Sequence, residues 1–204
     1  MKTLVFFGDS NTYGYDPSTG RGSGDCYPDN VRWMGLIKQH YRDYYHIYEE
    51  GKIGRCIPSM KYEYDELTEI LSKYDNIDYF IIMLGTNDCL SFPHPDIKKA
   101  GSRMDFFVTW LKRQEQLRSF NTQIVIMAPP YMDFTGDRFY EKYSTHDGSL
   151  SRELAIVAER QDSLFIDTGL WNIPCCDDHV HLTKEGHRIF TDNLIKELDR
   201  LIPK

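Results

Sequence analysis

The sequence predicts an α/β protein: a five-stranded parallel sheet with helices packed on both faces. Three observations predict it. Short apolar runs alternate with longer segments whose apolar residues recur at helical spacing. One run, IDYFIIML at 77–84, is apolar throughout except for Asp78, the pattern of a strand covered on both sides. No internal repeat, low-complexity tract or linker interrupts the 204 residues, a length that suits one domain (1–204) with a sizeable core.

The elements follow in chain order. Residues 2–7 form a first strand, ended by Gly8 and Asp9. Residues 31–41 form a helix with Val31, Met34, Ile37 and Tyr41 on one face. The Tyr/Ile-rich stretch 44–50 is a second strand, and 64–73 is a helix that buries Leu67, Ile70 and Leu71. After the third strand at 77–84, residues 95–120 hold one long or broken helix. Residues 123–127 are a fourth strand, stopped by Pro129 and Pro130. A helix at 150–160, a fifth strand at 163–167 and an amphipathic helix at 184–201 complete the chain. The long loops 13–30 and 129–149 rise from the carboxyl edge of the sheet, where open α/β folds bind ligands.

Composition narrows the classes of function. Hydrophobic residues make up 41% and charged residues 27%, ordinary values for a globular protein. The net charge is -7, and the basic residues are scattered, which argues against a nucleic-acid partner. No segment is long and apolar enough to span a membrane, and the apolar run 4–7, closed by Asp9, is too short for a signal-peptide core. A cytoplasmic location is therefore expected. The five cysteines are odd in number, contain no C-x-x-C, and include the adjacent pair Cys175 and Cys176; they read as reduced thiols.

Polar and glycine residues collect where the strands end. GDSNT with Ser10 follows the first strand, and EEGKIGR with Gly51 and Gly54 follows the second. GTND with Asn87 and Asp88 follows the third, and DDHVHLTKEGH with Asp178 and His181 follows the fifth. A parallel sheet brings these edges together. A serine hydroxyl is a weak nucleophile until a base takes its proton, and histidine suits that task near neutral pH. A carboxylate fixes the histidine tautomer, and Asp178, three residues before His181, lies on the same turn. The Ser10 amide at a helix start, a glycine amide and the Asn87 side chain are candidate donors to a tetrahedral oxyanion.

These four blocks, in this order, resemble those of the SGNH (GDSL-type) hydrolase superfamily, and the resemblance spans nearly the whole chain. VRWMGLI, EEGKIGR and IIMLGTND are similar to its arylesterase and acyltransferase-like branch. The resemblance implies a flavodoxin-like three-layer α/β/α sandwich. It implies a serine esterase that cleaves small acyl esters through an acyl-enzyme, without a cofactor. Ser10 would be the nucleophile, His181 the base and Asp178 the orienting acid. The Ser10 amide, Gly54 and Asn87 would donate to the oxyanion, with Gly54 preferred to Gly51. Homo-oligomers occur in that branch. One departure stands out: the usual leucine after the serine is Asn11 here.

Each residue also has a structural use. Ser10 or Asp9 can cap a helix, GTND can be a turn, Asp88 suits capping, and His187 suits packing in the last helix. His179 and Asp177 are neighbours that compete with the assigned pair. His179, His181 and an aspartate offer a metal reading, although neither HExxH nor structural-zinc spacing occurs. Gly20, Gly22 and Gly24 match a phosphate loop only superficially and suit a lid. Tyr13, Tyr15 and Tyr27 in one loop, and Tyr131, Phe134, Phe139, Tyr140 and Tyr143 in the other, suit either a pocket wall or a protein interface. Alternative functions are acyl transfer or carbohydrate O-deacetylation at the same site, or a binding protein with an inactive triad.

Overall fold

The computed structural model describes residues 1–20, 24–90 and 93–202. Its sheet contains β1 (Lys2–Gly8), β2 (Tyr45–Gly51), β3 (Tyr79–Met83), β4 (Gln123–Ala128) and β5 (Leu164–Asp167). The order is β2-β1-β3-β4-β5, and every pairing is parallel. The chain reverses direction across the sheet at β1, so the carboxyl ends of β1 and β3 flank a crevice suited to ligand binding.

Successive strand residues point to opposite faces, which divides the core in two. Val5, Phe7, Phe80, Ile82, Ile124 and Ile126 pack beneath α3 (Lys61–Leu71), α5 (Ile97–Arg113) and α7 (Ser149–Arg160). Leu4, Phe6, Ile81, Met83, Val125 and Met127 pack beneath α2 (Trp33–His40) and α8 (Lys184–Leu201). The sheet is thus the middle of three layers, as the double-sided apolar runs require.

The boundaries move by small amounts for local reasons. The helix expected at 31–41 begins at Trp33, because Arg32 is extended at its N-cap. The helix expected at 64–73 begins at Lys61, where the Glu63 carboxylate accepts the amides of Ser59 and Met60 at 2.7 and 2.8 Å. The segment 95–120 is broken at the extended Gln114 into α5 and a short α6 (Glu115–Ser119). Two further short helices, α1 (Ser10–Tyr13) and α4 (Thr86–Leu90), sit at strand ends. Gly8 and Gly51 lie side by side in the β1–β2 register. A Cβ on Gly8 would stand 2.0 Å from Thr12 Oγ1, and one on Gly51 2.5 Å from the Tyr13 amide. These glycines let α1 settle directly on the sheet edge.

None of the five cysteines is joined in a disulfide. Among the described residues no helix is long and apolar enough to cross a membrane. Gly22 lies outside the described residues.

Candidate active site

The site begins where β1 stops. Asp9 is extended, and its Oδ1 accepts the Asn11 amide at 2.9 Å, an N-cap that starts α1 at Ser10. Ser10 is thereby held on a turn at the carboxyl edge and is buried. The following residue ties this turn down twice. The Asn11 carbonyl accepts the Trp33 indole N–H at 2.7 Å, and the Asn11 carboxamide donates to the Val180 carbonyl at 3.0 Å.

The other half lies between β5 and α8. The Cys176 amide donates to the His181 carbonyl at 2.7 Å, and the His179 amide to the Cys176 carbonyl at 2.8 Å, closing a tight loop. Inside it, Asp178 Oδ1 accepts the amides of Val180 and His181 at 3.0 and 2.9 Å, while Oδ2 lies 2.6 Å from His181 Nδ1. His181 Nε2 lies 2.9 Å from Ser10 Oγ. Burial works to raise the Asp178 pKa, but the hydrogen bonds from His181 and from the two amides bring it down to about 2. The carboxylate is therefore charged across the physiological range. A proton on Nδ1 directed at that charge leaves Nε2 free to accept the Ser10 proton.

Asn87, at the start of α4, donates through Nδ2 to the Arg55 carbonyl at 3.1 Å and faces Asp9 Oδ2 at 3.4 Å. Gly54, with φ +75, precedes Arg55 in the exposed loop after β2, so it reaches the group through its neighbour. The structure thus joins Ser10, His181 and Asp178 directly, Asn87 through Asp9, and Gly54 through Arg55. A cleft of about 700 Å³ opens alongside, bordered by Tyr15, Asn87, Leu90, Val180 and His181.

Other candidates sit elsewhere. His179 adopts φ +59 and turns its ring against Phe134. Among the described residues no group of three His, Cys, Asp or Glu side chains is placed to hold a metal ion. Asp88 is a buried strut: it accepts the Ile57 amide at 2.9 Å and pairs with Arg103 at 3.0 Å. His187 is buried in α8. Of the tyrosines in 13–30, Tyr15 sets its ring edge-on to His181 at 4.8 Å, whereas Tyr27 is buried against His187. In the other loop Phe139 and Tyr140 are exposed and Phe134 is buried.

Sequence reasoning missed Arg55, whose guanidinium donates to the Gly8 carbonyl at 2.9 Å and to the Glu50 carbonyl, and stacks 4.0 Å over Phe7. Nothing local signals this, because an arginine after a glycine turn is ordinarily solvated. The indole of Trp33 is a second such group: the sequence places it in the helix expected at 31–41 and in the stretch VRWMGLI, with no sign of its bond to Asn11.

A family model described as GDSL-like lipase/acylhydrolase matches residues 6–189. No curated protein matches the sequence. Several solved structures share the fold. A carbohydrate acetylesterase family member from Sinorhizobium meliloti aligns over 100% of both chains at 22% identity, with a TM-score of 0.84. The aryl esterase of M. smegmatis aligns over 99% of this chain and 100% of its own, at 22% identity and a TM-score of 0.80. A variant of an acetyl-xylooligosaccharide esterase from Geobacillus aligns over 97% of this chain and 94% of its own, at 20% identity and a TM-score of 0.67.

Proposed function

The chain belongs to the GDSL-like lipase/acylhydrolase family and is an ester-hydrolysing enzyme, and from that premise we propose that Ser10 is its nucleophile, acting on short-chain acyl esters. The observation that carries this reading is the continuous line from Ser10 Oγ through the His181 ring to the Asp178 carboxylate, at 2.9 and 2.6 Å.

In this reading Ser10 Oγ attacks the ester carbonyl as its proton passes to His181 Nε2. Asp178 stabilises the imidazolium that forms. The Ser10 amide, the Gly54 amide and the Asn87 carboxamide donate to the oxyanion of the tetrahedral intermediate; one such donor is typically worth roughly 3–4 kcal/mol. His181 gives its proton to the leaving alkoxide, and the acyl group remains on Ser10. A water that loses a proton to the same nitrogen then attacks the acyl carbonyl and releases the acid. Every proton is returned, so the cycle needs no cofactor.

Short acyl groups suit the cleft beside Ser10, where Leu90 and Val180 offer apolar walls and Tyr15 stands against the base. Two of the structural relatives, a carbohydrate acetylesterase family member and an aryl esterase, agree with a small acyl group. Five cysteines outside any disulfide suit a reducing compartment, and we place the enzyme in the cytoplasm as one domain over 1–204.

Intact mass after incubation with a fluorophosphonate tests the assignment, in wild type and Ser10→Ala. The expected result is one adduct on wild type, none on the variant, and loss of p-nitrophenyl acetate hydrolysis in the variant. Unchanged hydrolysis by Ser10→Ala would overturn it.

A further inference from the structure

The Asn87 carboxamide nitrogen carries two protons, and the structure gives each of them an acceptor. One is the Arg55 carbonyl at 3.1 Å, and the other is Asp9 Oδ2 at 3.4 Å. A donor to the oxyanion must have a proton to spare, so one of these contacts has to yield. The Asp9 contact is the one suited to do so. It is near the outer limit of a hydrogen bond, whereas the Arg55 carbonyl is at ordinary length. Asp9 also immediately precedes Ser10, so the contact ties Asn87 to the turn that carries the nucleophile.

We propose that Asp9 is a positioning residue for the reaction: its carboxylate holds one N–H of Asn87 in readiness beside Ser10, and that N–H turns to the oxyanion as the tetrahedral intermediate forms. The assignment rests on the serine-esterase reading above. Asp9 is well placed for the part. Its side chain is buried, its Oδ1 is occupied by the Asn11 amide, and its Oδ2 is left to face Asn87. Burial pushes its pKa from 3.8 up to about 6, opposed by the hydrogen bond from the Asn11 amide and by the Arg55 charge, so at neutral pH it is a carboxylate able to accept from Asn87. The Arg55 carbonyl keeps the amide plane fixed while the second proton changes partner. The donor is thereby oriented before the substrate arrives, which is the condition for a preorganised oxyanion site.

Asp9 also caps α1, so the test must separate capping from its contact with Asn87. Serine is a good N-cap but is too short to meet Asn87, which makes Asp9→Ser the informative change. The experiment measures kcat and KM for p-nitrophenyl acetate with wild type, Asp9→Ser, Asn87→Ala and the double variant. Thermal unfolding establishes that each is folded. Asp9→Ser is expected to lower kcat by roughly tenfold to a hundredfold. Its KM should stay within about twofold, because the lost interaction acts in the transition state. In the Asn87→Ala background the same change should have little further effect, because the residue it acts through is gone.

Losses that multiply in the double variant would overturn the assignment, since a purely structural role for Asp9 does not depend on Asn87. A kcat for Asp9→Ser equal to or above wild type would overturn it as well. If Asp9→Ser does not fold, Asp9→Asn carries the same cycle. Ser10→Ala, measured alongside, separates the two levels: if it remains active the serine reading fails, whereas if it is inactive and the losses multiply only the Asp9 assignment fails.

Discussion

The Asn11 side chain donates to the carbonyl of Val180 at 3.0 Å, across 169 residues of sequence. It thereby joins the helix turn that carries Ser10 to the loop that carries His181. Leucine at this position, usual in the resembling family, has no donor for that carbonyl. Asn11→Leu should therefore cost about 1–3 kcal/mol through the unpartnered carbonyl. It should also lower kcat more than it raises KM, because the distance between nucleophile and base is no longer held. Urea unfolding and steady-state kinetics on one ester check both effects; unchanged kcat would show that Ser10 and His181 are held without this tether.

Trp33 anchors the same residue from below. Its indole donates to the Asn11 carbonyl at 2.7 Å, and its ring packs on Phe6 and Phe190. Trp33→Phe keeps most of the apolar volume but removes the donor, leaving a buried carbonyl unsatisfied. The expected loss is about 1–3 kcal/mol of stability, with a fall in activity as α1 loosens. A lowered unfolding midpoint in urea with an unchanged slope is the signature.

Asp178 is held at a pKa of about 2 by its hydrogen bonds with His181 and with the backbone. Asp178→Asn keeps the shape but loses the charge that stabilises the imidazolium. We expect kcat to fall by roughly a hundredfold to ten-thousandfold, with KM little changed. Stopped assays with p-nitrophenyl acetate at several pH values measure this. Wild type should keep the carboxylate's contribution down to about pH 4, since stability and orientation from a depressed carboxyl are lost only as pH falls from its unfolded value of 3.8 through 2.

His187 gives a pH dependence of the same sign, in a higher pH window. Its ring is buried in α8, Nδ1 accepts the Trp33 amide at 3.3 Å, and Nε2 has no hydrogen-bond partner among the described residues. Burial, helped by the Arg32 charge, pushes its pKa from 6.5 down to about 4. Protonation therefore favours the unfolded chain. Stability is full above pH 6.5 and is lost as pH falls toward 4, by about 3 kcal/mol from this group. His187→Asn retains an acceptor for the Trp33 amide but does not titrate. The variant should show a flatter stability profile between pH 6.5 and 4 by urea unfolding. Equal slopes in the two proteins would rule out His187 as the cause.

Much of this arrangement was legible in the sequence because it is set by near neighbours. The alternation of apolar runs and helical segments marked all five strands, and the helix expected at 184–201 runs from Lys184 to Leu201. The four polar blocks could be placed on strand ends, and Asp178 with His181 share one turn because only two residues separate them. The capping of α1 by Asp9 also follows from local residue type.

Other relations were settled only in three dimensions. Ser10 and His181 are 171 residues apart, and the sheet order β2-β1-β3-β4-β5 brings their strand ends to one edge. Pairing with Val180 and Trp33, the double engagement of Asn87, the stacking of Arg55 on Phe7 and the inward turn of Tyr27 have no local signal. Period, capping and glycine placement depend on the chain within a few residues. The partner of a buried donor depends on which distant segment packs beside it, and that is decided when the two faces of the sheet acquire their helices.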